Sequence, residues 1–281
     1  MKAGHWTLGK IVKFPITIDR WYGRLGNNIQ QIALTILYAQ QHGRRAIIPE
    51  HPQIKAIHFG NKKFWSDRLK NKNRFFFFTA TEQEVIDVEL SYEYICENIQ
   101  KVALTYITPH FKFKIDEPFD QDVLVIHLRG GDIFDPTGDI HPDYVQNPLS
   151  YYQTLIRHFK KTILVCEPGL KNPIIPRLKE HPSVILQSST LEADFQTLLR
   201  AQNIATSGVG TFAIAAALCS RNLKNLFCTD RFLTEHLNPD MIKKARVHCL
   251  PLGDDYLKPG EWDGSDHAVA QMLTYKVADV F

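Results

Sequence analysis

Short apolar runs alternate with segments of helical periodicity from Val123 onward, and this alternation most restricts the fold. Each run has the length of a buried strand. The predicted strands are 123–127, 162–166, 184–187, 203–206 and 223–228. The predicted helices begin near Pro148 and Leu191 and cover 173–181 and 210–220, and Ser189 and Glu192 have the spacing of a capping box. This rhythm predicts an α/β fold with a parallel sheet and helices on both faces.

A second strand–loop–helix–strand unit stands near the N-terminal end. A strand at 10–18 is followed by the glycine-containing loop 19–28. Apolar residues then recur at helical spacing until Gly43, and 45–49 has the pattern of the next strand. This unit is the building block of a parallel sheet.

The segments between these two regions are less regular. Residues 51–73 are basic and polar, which indicates a solvated loop or an excursion beside a cleft. FFFF at 75–78 predicts a buried strand, and 90–105 has the pattern of a helix. A last helix is expected at 265–277, where it packs on either half of the chain.

The length of 281 residues suits one large domain or two of about 140 residues each. The composition shifts in FKFKIDEPFDQD, 111–122, which makes this segment the best candidate for a linker. The expected domains are therefore 1–112 and 113–281, and the last helix is a candidate to pack back on the first of them.

The charge and the apolar pattern exclude several classes of protein. The net charge is only +3, with 33 basic and 30 acidic residues, so we expect no nucleic-acid partner. The sequence has no signal peptide and no run of about 18 apolar residues, which predicts a cytoplasmic protein without a transmembrane segment, at most peripheral to a membrane.

The five cysteines are widely spaced and form no CxxC pair, so a structural zinc site is not expected. Cys166, Cys219 and Cys228 lie in apolar segments, which predicts buried free thiols and a reducing environment.

The hexapeptide HLRGGD, 127–132, follows directly on the apolar run VLVI. Ligands bind beyond the carboxyl ends of parallel strands, and the planar guanidinium of Arg129 suits phosphate oxygens. The two glycines allow a sharp turn and a close approach to a ligand. The hexapeptide therefore predicts an anion site. Two structural alternatives stay open, an Arg129–Asp132 ion pair and a hydrogen bond through which His127 braces the strand end.

Two other glycine-containing turns precede helices, YGRLGNN at 22–28 and TSGVGTF at 206–212. A helix N-terminus presents unpaired N–H groups and the positive end of a dipole, so it favours phosphate. Ser207 and Thr211 add hydroxyl donors, and Phe212 either stacks on a base or fills the core. Neither turn matches the dinucleotide or P-loop motif. The alternative interpretation is that both are plain turns that cap or pack a helix.

Three segments together resemble motifs of the fucosyltransferase superfamily that comprises α1,2-, α1,6- and protein O-fucosyltransferases. HLRGGD is similar to its His-x-Arg-Arg-x-Asp motif, and GRLGNN is similar to its Gly-x-x-Gly-Asn-Gln loop. The stretch 192–218 resembles its third motif, an acidic helix, a short strand and a Ser/Thr-rich turn before an apolar helix. The three segments occur in the family's order and span most of the chain.

This resemblance implies two Rossmann-like domains that face a cleft, the GT-B arrangement, in a compact version. Residues 1–112 would be the acceptor-side domain, and 113–281 would bind a nucleoside diphosphate sugar, with a GDP-sugar favoured. The implied donor-binding residues are His127, Arg129, Asp194, Ser207, Gly208, Thr211 and Phe212. The candidates on the sugar and acceptor side are Gly26, Asn27, Asn28 and, in the long loop after HLRGGD, His141.

The implied activity is glycosyl transfer from the sugar nucleotide to a hydroxyl of a glycan or glycolipid acceptor, with inversion and without a metal or cofactor. Arg129 would stabilise the leaving diphosphate, and Asp132 would accept the proton of the acceptor. Alternative proton acceptors are Asp19, Asp135 and Asp139. Asp120 and Asp122 lie in the expected linker, so we expect no metal there.

Two departures from the family keep other functions open. Gly130 replaces the second arginine of the first motif, which removes one positive charge from the diphosphate site, and Asn28 stands where the family prefers Gln. The alternatives are a transferase that uses a different sugar nucleotide and a non-catalytic module that binds a nucleotide or a glycan. Gly130 is the feature that favours the non-catalytic module.

Overall fold

The structure is a computed structural model that describes residues 15–60, 73–75, 90–134, 140–168 and 171–278. These ranges contain ten strands and seven α-helices. The strands are β1 (Ile16–Ile18), β2 (Ala46–Ile48), β3 (Ile57–Phe59), β4 (Asn73–Phe75), β5 (Val123–His127), β6 (Lys161–Val165), β7 (Val184–Gln187), β8 (Asn203–Ala205), β9 (Asn225–Thr229) and β10 (Arg246–Leu250). The helices are α1 (Leu25–Gln41), α2 (Tyr92–Val102), α3 (Leu149–Ile156), α4 (Ile174–Lys179), α5 (Leu191–Arg200), α6 (Phe212–Cys219) and α7 (Asp266–Thr274).

The strands β5 to β10 form one parallel sheet in the order β10-β9-β8-β5-β6-β7. In its interior, Leu124 of β5 pairs with Thr162 of β6 on one side and with Asn203 of β8 on the other. Helices cover both faces of the sheet, which explains why β5 is apolar at four consecutive positions. The expectation of an α/β fold with a parallel sheet is confirmed, and the sheet is consistent with a Rossmann-like fold.

The strand order reverses between β5 and β8. Numbered from β5, the order is 3-2-1-4-5-6, the order of doubly wound nucleotide-binding folds. The chain runs outward from β5 through β6 and β7, returns to β8 and then runs the other way. In such sheets the crevice at the reversal, beyond the carboxyl ends of the strands, is the place where ligands bind.

A smaller sheet of four strands, in the order β3-β2-β1-β4, lies in the N-terminal half. β1 is parallel to β2 and β4, whereas β3 is antiparallel to β2. β3 corrects the expectation of an irregular segment at 51–73 in its first part, where Ile54 and Ile57 are buried. Positions 61–72 of that segment lie outside the described residues. Of the expected strands at 10–18 and 75–78, positions 10–14 and 76–78 lie outside the described residues.

The two sheets share one apolar core through α1 and α6. α1 is buried nearly all round, the pattern of a helix enclosed by other elements, and it packs against α6, α2 and the strand β1. Val123 and Val125 of β5 point into this shared core, while Leu124 and Ile126 point to the opposite face. No helix in the described ranges combines the length and the apolar character needed to cross a bilayer.

The core on the opposite face of the large sheet contains α3, α4 and α7. Its largest fully buried side chain is Trp262, whose ring nitrogen donates to the carbonyl of Ile133 at 2.9 Å. Met272 of α7 is fully buried in this core, and α7 packs on α3. The last helix therefore packs beside the large sheet and not on the N-terminal half, which was the other expectation.

Several element ends differ from the sequence expectations. The N-cap of α5 is Thr190, whose hydroxyl accepts from the backbone N–H of Ala193, so the capping box at Ser189 and Glu192 is not formed. β10 was missed because it is a sheet edge whose side chains are mostly not buried. The end of α1 is as expected, since Gly43 follows it with a φ of +57°.

The cysteine expectation agrees with the structure. Cys166, Cys219 and Cys228 are buried free thiols, as their apolar surroundings indicated. Burial raises the pKa of the Cys219 thiol to about 12, so this side chain packs as a small neutral group.

A tight contact between two loops shapes the reversal point of the large sheet. Gly208 has a φ of +101°, and a Cβ atom there would lie 2.4 Å from the carbonyl oxygen of Val145. The backbone N–H of Asn147 donates to the carbonyl of Ser207 at 3.1 Å, and that of Val209 donates to Val145 at 3.0 Å. The glycine at 208 is therefore required by loop packing.

We expect Gly208→Ala to destabilise the fold more than Gly260→Ala. Gly260 has a similar φ of +96°, but a Cβ atom there would meet nothing within 4 Å beyond its chain neighbours, so its substitution costs only backbone strain, about 1–3 kcal/mol. Gly208→Ala adds overpacking against Val145, about 1–3 kcal/mol more. Urea denaturation of both variants measures the difference, and equal losses would contradict the packing role of Gly208.

Candidate functional site

A cleft of about 710 Å³ lies between the carboxyl edge of the large sheet and the loop that joins β1 to α1. The ends of β5 and β6 and the starts of α5 and α6 form one wall. The β1–α1 loop forms the facing wall, and the loops after β5 and β9 add further side chains. The cleft is at the strand-order reversal, where an α/β sheet is expected to bind a ligand.

The structure brings most of the predicted site residues together in this cleft. Those on its walls are Gly26, Asn27, His127, Arg129, Asp132, Asp194, Thr211 and Phe212. The predicted residues that are not among the cleft-lining residues are Asn28, His141, Ser207 and Gly208.

Arg129 occupies the turn after β5. Its Nη2 donates to Oδ2 of Asp132 at 3.2 Å, so the ion pair that was one structural alternative is present. The guanidinium lies 3.7 Å from the centre of the Tyr144 ring, a cation–π contact. Asn172 donates to the carbonyl of Arg129 at 2.6 Å and holds the turn. Gly131 has a φ of +72°, which explains the second glycine of the hexapeptide.

His127 is a neutral group at the end of β5. Its Nδ1 lies 3.5 Å from Oγ of Ser207, and its ring packs on Phe212 with 5.1 Å between ring centres. Burial and the nearby charge of Arg129 lower the pKa of His127 to about 3. The imidazole therefore adds hydrogen-bonding capacity to the cleft at neutral pH but no positive charge.

The N-termini of α1 and α6 meet at the cleft. A Cβ atom on Gly26 would lie 2.5 Å from the Thr211 hydroxyl oxygen and 2.9 Å from the backbone nitrogen of Phe212. The Thr211 hydroxyl donates to Oδ1 of Asn27 at 2.6 Å. Neither helix has a side-chain cap or an acidic residue in its first turn. The positive ends of the α1 and α6 helix dipoles are thus both directed at the cleft.

Carboxylates stand opposite the cations of the cleft. Arg24, in the β1–α1 loop, forms an ion pair with Glu167, which follows β6, so this pair spans the two walls. Asp194 of α5 accepts from Nε2 of Gln187 at 3.1 Å and from the backbone N–H of Ser189 at 3.4 Å. Burial raises the pKa of Asp194, while these two hydrogen bonds act in the opposite direction.

Asn28, predicted on the sugar side, instead holds the β1–α1 loop from within. Its Nδ2 donates to the carbonyl of Tyr22 at 2.8 Å, and its Oδ1 lies 3.0 Å from Nε2 of His51. Asn28 and His51 are both buried. The asparagine therefore holds the loop that carries Arg24 and leads into α1.

The other three predicted residues that do not line the cleft, Ser207, Gly208 and His141, also contact other parts of the protein. Ser207 is buried beneath His127, and Gly208 packs on Val145. Nδ1 of His141 lies 3.5 Å from Oδ2 of Asp143, and its ring packs at a tilt on Tyr144, a residue of the cleft wall, with 5.4 Å between ring centres.

The remaining candidate carboxylates are placed elsewhere. Asp19 is exposed and is not among the residues that line the cleft, and positions 135 and 139 lie outside the described residues. Asp122 stands at the amino end of β5, the opposite edge of the sheet, and pairs with Lys160 at 2.8 Å. In the described ranges no group of three or more potential metal ligands is found.

Sequence reasoning missed Arg24, Glu167 and His236 on the cleft walls. Glu167 had a usable signal, because it follows a strand of the same parallel sheet as HLRGGD and therefore reaches the same edge. His236 had none, since it lies in an irregular loop after β9 whose path depends on contacts with α1. Tyr144, in the long loop after β5, also lines the cleft.

We expect His127 to make stability fall with acid. The unfolded chain takes up a proton near pH 6.5, whereas folded His127 stays neutral down to about pH 3. The stabilisation that comes from neutral His127 is fully present in the free energy of unfolding above pH 6.5, and it is lost as the pH falls toward 3. Between pH 7.5 and 5.5, urea denaturation should show wild type losing about 1.4 kcal/mol more than H127N.

Ser207→Ala is the matched control for this measurement, because it removes the partner but keeps the buried imidazole. It should retain the pH dependence of the wild type. The same pH dependence in H127N and wild type would contradict a depressed pKa at His127.

Comparisons with known proteins add no family assignment to this geometry. No protein-family model matches the chain, and a search of the curated proteins finds no significant match. The functional interpretation therefore depends on the cleft itself and on the resemblance of its motifs.

Proposed function

We propose that this chain is a glycosyltransferase that takes a sugar from a nucleoside diphosphate sugar bound in the cleft. The observation that carries the proposal is the convergence of Arg129 with the N-termini of α1 and α6 at the strand-order reversal. Backbone N–H groups and a planar guanidinium are both suited to phosphate oxygens. The three motifs that resemble the fucosyltransferase superfamily supply the residues of this convergence, which supports the same interpretation.

A second cation supports a diphosphate in preference to a single phosphate. Arg24 stands on the facing wall of the cleft and would supply the charge that Gly130 does not. Both arginines are paired with carboxylates, Asp132 and Glu167, whose side chains are 54% and 50% exposed. These carboxylates can turn toward solvent when an anionic ligand takes their place.

The nucleoside would lie along the wall formed by α5 and α6. Phe212 offers a ring face at the start of α6, and Asp194 offers carboxylate oxygens that accept hydrogen bonds from a base. Guanine presents a donor amine to such an acceptor, so we propose a GDP-sugar as the donor. The large sheet would then belong to the nucleotide-binding domain and the small sheet to the acceptor-side domain of a compact GT-B arrangement.

The proposed reaction is a direct displacement at the anomeric carbon. An acceptor hydroxyl attacks this carbon, the bond to the diphosphate oxygen breaks, and the electron pair leaves with the diphosphate, which inverts the configuration. Arg129 and the N–H groups at 211–213 stabilise the charge that develops on the leaving oxygen. We propose a glycan or glycolipid as the acceptor and a cytoplasmic site of action, peripheral to a membrane.

A thermal-shift series with GDP, UDP, CDP and their sugars tests the proposal. A ligand at 100 times its Kd stabilises the folded state by about 2.7 kcal/mol, which raises the Tm by roughly 5 °C. We expect this shift with GDP and a GDP-sugar, and Arg129→Ala should abolish it. Arg177→Ala, an exposed arginine of α4 outside the cleft, is the control that should keep it.

The outcomes separate the alternatives that Gly130 leaves open. A shift with UDP or CDP but not GDP identifies another sugar nucleotide as the donor. Binding without turnover of the matching sugar nucleotide identifies a non-catalytic module. No shift with any nucleotide would overturn the proposal, and an unchanged shift in Arg129→Ala would overturn the role of that residue.

A further inference from the structure

His236 lines the cleft but belongs to none of the three motifs. It lies in the loop between β9 and the short helical turn Pro239–Met241, and its ring reaches the same cleft as Arg129 and Thr211. Two buried side chains hold the backbone around it, Gln30 of α1 and Asn238 of the loop itself.

Gln30 of α1 holds the backbone next to His236 on each side. Its Nε2 donates to the carbonyl of Glu235 at 2.9 Å, and its Oε1 accepts from the N–H of Leu237 at 3.0 Å. Only 1% of Gln30 is exposed. A buried amide whose nitrogen and oxygen are both hydrogen-bonded to the same loop favours one conformation of that loop. α1 therefore positions His236 from the opposite half of the protein.

Asn238 completes the clamp from within the loop. Its Nδ2 donates to the carbonyl of His236 at 3.0 Å, and its Oδ1 takes a hydrogen bond from the hydroxyl of Tyr92 at 3.2 Å. Asn238 is fully buried. With Gln30 and Asn238 in place, the imidazole stands on rigid backbone, as a group that exchanges a proton with a bound substrate requires.

The charged surroundings of the ring suit a base that is neutral at physiological pH. Burial is the main cause that lowers the pKa of His236, and His141 and Arg129 act in the same direction. Glu235 and Asp143 raise it and partly offset these effects. Nδ1 of the ring is buried, so we assign the proton transfer to Nε2.

The other groups of the described cleft wall are less suited to accept a proton. Asp132 and Glu167 turn toward solvent when the diphosphate takes their place on the arginines. Asp194 stands on the α5 wall proposed for the base, where it accepts from Gln187 and Ser189. The pKa of His127, at about 3, makes that imidazole too weak a base.

We propose that His236 is the proton acceptor of the glycosyl transfer, an inference that rests on the proposed function. As the acceptor oxygen bonds to the anomeric carbon, its hydroxyl proton passes to Nε2 of His236, while the electron pair of the breaking bond leaves with the diphosphate. His236 replaces Asp132 in the role expected from the sequence, and Gln30 is its positioning residue.

Hydrolysis of the GDP-sugar that stabilises the protein, with water as the acceptor, tests the inference across pH 5 to 9. We expect the wild-type rate to fall on the acid side, with a midpoint below pH 6.5, as the imidazole takes up a proton. H236Q should lower the rate about 10²- to 10⁴-fold and remove this acid limb. The thermal shift caused by GDP should remain, since the residues that hold the diphosphate are unchanged.

Two further variants separate chemistry from structure. Q30L should lower the rate but keep the acid limb, because the imidazole is still present in a less defined position. H158Q, an exposed histidine outside the cleft, should change neither the rate nor its pH profile.

Two results would overturn the inference, full activity in H236Q and an acid limb that survives in H236Q. Both leave nucleotide binding and turnover by the wild type intact. A wild-type protein that binds the GDP-sugar without turning it over, or the absence of any nucleotide shift, would instead overturn the proposed function.

Discussion

The close approach of α1 and α6 is the contact on which the rest of the structure depends. Gly26 leaves no room for a side chain against Thr211, and the Thr211 hydroxyl bonds to Asn27 across the same contact. α1 packs on β1 of the small sheet and α6 packs on β8 of the large one, so this contact sets the distance between the sheets. It also brings both helix N-termini to one cleft, where their dipoles act together.

The cleft combines positive backbone ends with cations that are already paired. Arg129 and Arg24 each contact a carboxylate, and His127 is held neutral by burial and by the charge of Arg129. The site thus concentrates donors for an anion while each of these two arginines is paired with a carboxylate. In the proposed diphosphate binding, the two arginines exchange their carboxylate partners for phosphate oxygens of the ligand.

Much of the site was predictable because parallel strands deliver their carboxyl ends to one edge. His127 and Arg129 follow a strongly apolar strand, and Thr211 precedes an apolar helix, so both segments reach the cleft as expected. Nothing in the sequence distinguishes Asn28 and Gly208, which do not line the cleft, from the residues of the same motifs that do. Which member of a glycine-rich turn faces a ligand depends on partners distant in sequence, here His51 for Asn28 and Val145 for Gly208.

The sequence by itself determined the α/β class, the main strands and helices and the cationic, glycine-rich character of the segment around Arg129, because these follow from local periodicity and residue chemistry. Only the tertiary structure decided that Arg24 and Glu167 face each other across the cleft and that His236 joins them. The path of the His236 loop depends on hydrogen bonds to Gln30, about two hundred residues away in the chain. Such long-range contacts leave no periodic pattern, so they exist only once the core has brought the two sheets together.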